Sequence, residues 1–422
     1  MPAKLCGNAL CVVAATFLVA HAEERVFRPN ELVSELVKNN LHITAAQRRV
    51  EAAAKRPSQA GSLPEPSASY TNVGVGHPFS RLNRSEFAYQ AFGFSQELPF
   101  PGKLMLASEE AKREADSEQQ NYRALVLEKI SMLKLSYYDW LGAIQTIAVV
   151  EKNRDVLARF EEIARSRYSV GKGLQQDVLK AQLETSSIEQ QLEMGREKRD
   201  RAEAEIASLL ALPAISLASS QDFTPSTPGA SLDELLAAIP NTPRVRAEQS
   251  LVDARAVGVN RSRKDFRPDF GVNVQWQHTG SNFPDYYMAA IEVKLPIYYA
   301  RKQRYALEES VSRLQEAKYN YQAARQQAIY EIKNQFLAIQ SSERILRLYS
   351  TTLIPQARLT VDSSTTAYEV GSVDFLSALT NVTNLLTLQR QYFEEVTRHE
   401  QAIARLEPLV GKELVPLEVA GK

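Results

Sequence analysis

Tyr168-Ser169-Val170-Gly171-Lys172-Gly173-Leu174-Gln175-Gln176-Asp177-Val178-Leu179 is answered 200 residues later by Tyr368-Glu369-Val370-Gly371-Ser372-Val373-Asp374-Phe375-Leu376. Working outward, two more landmarks recur in the same order. Pro66-Ser67-Ala68-Ser69-Tyr70 matches Pro268-Asp269-Phe270-Gly271-Val272 at an offset of 202, and Gln96-Glu97-Leu98-Pro99 matches Val293-Lys294-Leu295-Pro296 at 197. Landmarks in one order at nearly one spacing mark an internal duplication. Each half has the same plan: a short helix, a strand pair, a long helix running to Tyr-x-Val-Gly, and a long helix returning.

The expected organisation is a first repeat over 23–213, a linker over 214–231, a second repeat over 232–411 and a tail over 412–422. The first repeat holds a short helix at 31–55, a hairpin at 66–98 and long helices at 102–168 and 174–212. The second holds a short helix at 232–262, a hairpin at 268–296 and long helices at 298–369 and 374–410. Pro225 and Pro228 mark the linker.

The strand signal is alternation. Phe270, Val272, Val274 and Trp276 alternate with Gly271, Asn273, Gln275 and Gln277; Ile291, Val293 and Leu295 alternate with Glu292 and Lys294. The first hairpin is weaker, with Phe92, Phe94 and Leu98 sharing a face with Gln90 and Gln96. By itself this pattern also suits a half-buried hairpin on a soluble domain. The helices are more unusual. Between Gly102 and Tyr168 there is no proline and one glycine, Gly142, a length approaching 100 Å at about 1.5 Å per residue. Val126, Ile130, Leu133, Tyr137, Leu141 and Ile144 recur at threes and fours, as do Ile332, Phe336 and Ile339, which is the seam of a coiled coil. Pro355 should kink or restart its helix.

The 422 residues include 50 basic and 50 acidic side chains, with 44% hydrophobic and 24% charged. Charge balance argues against a nucleic-acid partner, and the ordinary charged fraction against disorder. Residues 1–22 read as a secretory signal peptide, with Lys4, an apolar stretch and Ala20-His21-Ala22 before Glu23. Cleavage there removes both cysteines, Cys6 and Cys11, and with them disulfides and thiolate chemistry. No later apolar run is long enough for a membrane helix: Leu141 to Val150 is ten residues and contains Gln145 and Thr146. A β-barrel remains open, because its strands alternate.

Four strands with one apolar face cannot lie open in a bilayer, since lipid offers no partners for edge N–H and C=O groups. Four are also too few for a water-filled barrel. Three copies would supply twelve strands, with Glu292 and Lys294 facing a wet lumen and the helices forming a hollow cylinder. The expected fold class is therefore an α+β membrane protein: a long α-helical coiled-coil barrel plus four β-strands per protomer, contributing to a trimeric 12-stranded outer-membrane β-barrel.

This arrangement resembles the TolC-like outer membrane efflux proteins over nearly the whole chain after the signal. The resemblance rests on the two repeats, the Leu-Pro exit from each second strand and the two tip signatures. It implies a homotrimeric channel in the outer membrane of a Gram-negative-type bacterium, extending into the periplasm. It also implies a periplasmic adaptor (membrane fusion) protein, and through it an inner-membrane pump, as partners beside outer-membrane lipid. The expected role is a passive exit duct for small molecules or metal ions. The outlet of a type I protein secretion system and a periplasmic coiled-coil scaffold or adaptor stand as alternatives. An adaptor would carry one hairpin inserted in a compact β domain; two tandem hairpins are present.

Gly171, Gly173 and Gly371 fall where the long helices reverse, where glycine's tolerance of positive φ is useful. Asp177 falls in the first turn of the returning helix, where a carboxylate suits the dipole. These are sufficient as plain helix-hairpin turns. The resemblance adds that Val170, Gly171, Lys172, Gly173, Asp177, Val370, Gly371 and Ser372 form the adaptor-contacting tip. Family tips often carry acidic rings in the second repeat; alignment on Tyr368-x-Val370-Gly371 places Ser377 and Thr380 there instead. Asp374, one turn earlier, could supply a substitute pore constriction or merely cap its helix.

Arg261, Arg263, Lys264 and Arg267 cluster before the third strand and suit a solvated face near the periplasmic rim. Trp276, Phe283, Tyr286 and Tyr287 flank the second hairpin's turn, as an interfacial girdle or as packing under a loop. No catalytic constellation is expected. His21, His42, His77, His278 and His399 are scattered, and no phosphate-binding loop, cofactor motif or metal-ligand spacing occurs.

Overall fold

A computed structural model describes residues 26–417 except 75, 77–81, 84 and 219–222. The expected signal peptide, with Cys6, Cys11 and His21, lies outside the described residues, as do His77 and the tail beyond residue 417.

The chain begins with β1 (Val26–Phe27), α1 (Pro29–Asn39), α2 (Leu41–Ala53) and α3 (Arg56–Gly61), then the hairpin β2 (Ser67–Val73) and β3 (Tyr89–Leu98). The long helices α4 (Lys103–Ser169) and α5 (Gln175–Leu209) follow, then β4 (Ser216–Leu217). The second half runs α6 (Leu232–Ala238), α7 (Pro243–Lys264), β5 (Asp269–His278), β6 (Tyr286–Lys294) and α8 (Gln303–Leu348). A π-helical turn (Tyr349–Leu353), α9 (Ile354–Glu369) and α10 (Phe375–Val410) complete it. Among the described residues no helix is long and apolar enough to cross a membrane.

Each short helix expected from sequence is divided, for identifiable reasons. Asn40 ends α1 and caps α2: its Oδ1 accepts the His42 and Ile43 N–H groups at 3.0 and 3.1 Å, and its Nδ2 donates to the Leu209 carbonyl at 2.8 Å. In the second half, Pro240 lies in a 3₁₀ turn and Pro243 opens α7, so α6 cannot run on. Pro355 does not stop its helix. A π turn ends two residues before it, and it sits at the second position of α9, where a missing N–H is tolerated.

The main sheet is antiparallel in the order β2-β3-β5-β6, so the two hairpins join through their inner strands and β2 and β6 are the edges. Register assigns the faces. Ala68 and Tyr70, Phe92, Phe94 and Leu98, and Phe270, Val272, Val274 and Trp276 share one face with Tyr287, Ala289, Ile291 and Val293. The opposite face carries Ser67, Ser69 and Thr71, Ser95 and Glu97, and Asn273, Gln275 and Gln277, with Glu292 and Lys294.

Three clusters hold the helical part. The seam residues Leu133, Tyr137 and Leu141 are buried with Trp140, and Val126, Ile130 and Ile144 pack against them. Toward the Tyr-x-Val-Gly ends, Leu157 and Phe160 of α4 join Ile188 and Leu192 of α5, and Val382 and Leu386 of α10. Ile332 and Ile339 of α8 pack with Ile403 and Leu406 of α10, and Phe336 lies against them half-buried. The repeats are tied by charge as well. Lys134 of α4 is fully buried and donates to Glu407 of α10 at 2.9 Å, to Glu413 at 2.7 Å and to the Val415 carbonyl at 2.5 Å.

Candidate functional site

The two helix reversals are built alike. In the first, the Lys172 N–H donates to the Arg167 carbonyl at 2.8 Å and the Gly171 N–H to the Tyr168 carbonyl at 3.0 Å. In the second, Ser372 donates to Ala367 at 2.9 Å and Gly371 to Tyr368 at 3.0 Å. This paired pattern closes a helix with a left-handed residue, and Gly171 and Gly371 supply it at φ of 72° and 81°. Gly173 does not share that conformation. A Cβ there would stand 3.1 Å from both the Arg167 Cβ and the Tyr168 N, so what its hydrogen provides is room for close approach.

Asp374 caps α10. Its Oδ1 accepts the Ser377 N–H at 3.0 Å and its Oδ2 the Ser377 hydroxyl at 2.6 Å. The hydroxyl first, and then the backbone donor, hold its carboxyl below the ordinary range. Asp177 makes a longer reach: one oxygen accepts the Leu174 N–H at 3.4 Å. Val170, Lys172, Val370, Ser372, Ser377 and Thr380 are exposed around these turns, and the Thr380 hydroxyl bonds back to the Leu376 carbonyl at 2.7 Å.

Sequence reading missed the residue that joins the two reversals. Arg167 donates through Nη1 to the Tyr368 carbonyl of the other hairpin and lies 4.9 Å from the Tyr368 ring centroid. Its other amine faces the Lys172 carbonyl at 3.5 Å. The Tyr368 ring stacks on Phe160 at 6.2 Å and meets Phe375 edge-on at 5.5 Å. Burial pushes the Tyr368 hydroxyl up, against a smaller opposing effect of Arg167. The signal available was an asymmetry: the residue before the landmark tyrosine is arginine in one repeat and Ala367 in the other.

At the other end, the sheet's apolar face carries an aromatic row across all four strands. Tyr70 lies 5.2 Å from Phe92, Phe92 lies 6.2 Å from Trp276, and Trp276 is paired in register with Tyr287. Tyr286 falls on the opposite face and Phe283 in the loop, so the aromatics expected together from sequence divide. The next residues outward on the apolar face are Asn72, Gln90 and His278, and His278 pairs with Asp285 at 2.7 Å. On the polar face Lys294 bonds Glu97 at 2.8 Å, and Lys103 bonds Asp269 at 2.9 Å.

The basic cluster before β5 is largely spoken for. Arg261 bonds Glu110 at 2.9 Å, Arg263 bonds Asn260 at 3.2 Å, and Lys264 donates to the Pro101 carbonyl at 3.0 Å above the Phe100 ring. Among the described residues no group of three His, Cys, Asp or Glu side chains could hold a metal ion.

Comparison with known proteins agrees with this geometry. The profile of the family described as outer membrane efflux protein matches residues 32–212 and 235–412. Comparison with curated protein sequences gives no match. Among solved structures, the outer-membrane channel OprN superposes with a TM-score of 0.78 at 17% identity, over 90% of this chain and 89% of that one. VceC from Vibrio cholerae gives 0.75 at 19% identity, over 92% and 96%. The CmeC channel of Campylobacter jejuni gives 0.76 at 15% identity, over 100% and 96%. Identities this low speak for the fold.

Proposed function

The chain belongs to the outer membrane efflux protein family, and we propose that it is the passive trimeric exit duct of a tripartite exporter. It is an outer-membrane efflux channel that extends into the periplasm. In the proposed assembly, three copies pool their sheets into one barrel and their helices into one tunnel. The reversals at Gly171 and Gly371 meet a periplasmic adaptor, an inner-membrane pump supplies the energy, and small molecules or metal ions are the cargo.

One observation carries the reading. The four-stranded sheet has an apolar face, a polar face and two edge strands, β2 and β6. Lipid cannot satisfy those edges, so the sheet needs other copies of itself to close. A polar inner face with Glu97, Glu292 and Lys294 suits a water-filled lumen. The tip turns, built alike in both repeats, suit docking to the hairpins of an adaptor.

The test is reconstitution and deletion together. Protein extracted from outer membranes should run as a three-chain particle and conduct ions in planar bilayers. A deletion strain should accumulate small toxic compounds, and restored export should require both an adaptor and a pump. A strain that loses secretion of one large protein, with unchanged small-molecule tolerance, would favour the protein-secretion outlet instead.

A further inference from the structure

The two strand exits occupy equivalent places in the two repeats and are finished differently. After β3 the chain reads Leu98-Pro99-Phe100-Pro101-Gly102-Lys103, and everything polar or aromatic in it has a partner. Phe100 is half-buried beneath Lys264, and Lys103 is 13% exposed between Asp265 at 3.3 Å and Asp269 at 2.9 Å. After β6 the chain reads Leu295-Pro296-Ile297-Tyr298-Tyr299-Ala300-Arg301-Lys302-Gln303-Arg304. Here Leu295, Ile297, Tyr298 and Tyr299 are 65%, 68%, 72% and 58% exposed. Arg301 and Lys302 are exposed with no side-chain partner among the described residues, and Arg304 reaches only Glu308 on its own helix. Helix α8 gains nothing from cations at its start, the end where positive charge is disfavoured.

The span of the sheet says what this segment is for. On the apolar face, the row Leu98–Phe270–Val293 and the aromatic row Phe92–Trp276–Tyr287 are six residues apart. That is about 20 Å along a strand, and nearer 15 Å once strands tilt as they do in barrels. An outer-membrane apolar band is about 25 Å tall. The aromatic row cannot be overrun outward, because Asn72, Gln90 and His278 come next. The shortfall must therefore be met at the periplasmic end, where Leu295 to Tyr299 extend the oily surface below β6. Aromatics followed at once by unpaired cations are the ordering of an interface between hydrocarbon and phosphate.

We propose that Tyr298 and Tyr299 sit at the inner boundary of the membrane and that Arg301, Lys302 and Arg304 bind the phosphates of anionic phospholipids in its inner leaflet. The inference rests on the outer-membrane channel reading. A second copy of the chain is the competing occupant, since β6 is an edge strand. Charge disfavours it as the partner of these cations. The segment flanking the other edge strand at the same end carries Lys55, Arg56 and a single carboxylate, Glu65. Edge-to-edge closure thus gathers like charges, and anionic headgroups neutralise both sides.

Native mass spectrometry of the complete assembly in mild detergent tests this, with phosphatidylglycerol and phosphatidylethanolamine added separately. Wild type should retain phosphatidylglycerol preferentially, by about fivefold for each contributing cation at low salt, and less as salt rises. Arg301→Gln with Lys302→Gln should lower that preference at least tenfold while the oligomeric mass stays unchanged. Arg358→Gln, on α9 far from the sheet, should leave it alone. Equal retention of both lipids by wild type overturns the proposal. So does a double variant that separates into single chains while Arg301→Gln alone keeps the lipid preference, because the cations would then be joining copies. A wild-type chain that is a lone particle without detergent refutes the channel reading itself, which is a different result.

Discussion

Both long hairpins descend from one duplicated plan, yet they differ in the outgoing rod, nearer its tip than its sheet end. In the first repeat α4 runs 67 residues without a break. In the second, the corresponding rod is α8, a five-residue π turn and α9, with Pro355 two residues past the turn. Residues 149–155, the stretch about 200 positions earlier, contain no proline and stay α-helical. A proline inside a helix removes a donor and crowds the carbonyl four residues back; a π turn admits the extra residue that relieves both. Duplication preserved the architecture because packing enforces it, and left local backbone geometry free to diverge where packing tolerates it. The first hairpin is a uniform strut. The second carries a π turn in its outgoing rod.

That comparison is broken most severely by cutting the tie between the repeats. Lys134→Ala leaves Glu407 buried with no cation beside it, its Oε1 still accepting the Leu414 and Val415 N–H groups at 3.0 and 3.1 Å, and should cost about 3 kcal/mol in thermal or denaturant unfolding in mild detergent. Limited proteolysis should find residues 411–417 released, because Glu413 and the Val415 carbonyl lose the same ammonium.

Next in size is the contact that lets the strut lie against α10. A Cβ at Gly142 would stand 2.2 Å from the Thr397 Oγ1. Gly142→Ala should cost about 1–3 kcal/mol, and adding Thr397→Ala should restore most of it by removing the colliding hydroxyl.

Smaller still is the difference between the two tips. Hydrogen exchange of the first turn should quicken more in α10 for Asp374→Ala than in α5 for Asp177→Ala. Asp374 caps with two short bonds and Asp177 with one of 3.4 Å. Because the Asp374 carboxyl is lowered in the folded protein, its contribution is fully present above the ordinary carboxylate value of about 3.9 and is lost as pH falls through the lowered one. Wild type and Asp374→Ala should therefore differ at neutral pH and converge in strong acid.

The least costly change sharpens the opening contrast. Pro355→Ala should shift overall stability by under about 1 kcal/mol. Exchange at residues 351–354 should slow toward that of the matching stretch in α4 as the π turn gives way to α-helix.

The duplication, the long helices and the alternating strands were legible because each is a periodicity, and periodicity survives in sequence. Leu133, Tyr137 and Leu141 fall in the core as their spacing implies. Less legible were features made by single residues reaching across the fold. Nothing near Lys134 in sequence announces carboxylates more than 270 positions away, and Arg167 looks like one more helical arginine until the second hairpin is placed beside it. The split at Asn40 was hidden because asparagine is tolerated in a helix as well as at a cap. At the tips, the two glycines with positive φ were readable from the landmark; the spatial reason for Gly173 needed coordinates.

The central claim is that edge strands β2 and β6 pair between copies, and disulfide scanning across those edges tests it most directly. One cysteine at Ser67, Ser69 or Thr71 would be combined in the same chain with one at Met288, Ala290 or Glu292. Antiparallel closure predicts cross-links only between chains, building to three on a gel. The favoured partner should step two residues back along β6 for each two forward along β2. Cross-links confined within one chain, or none in membranes holding folded protein, would contradict it.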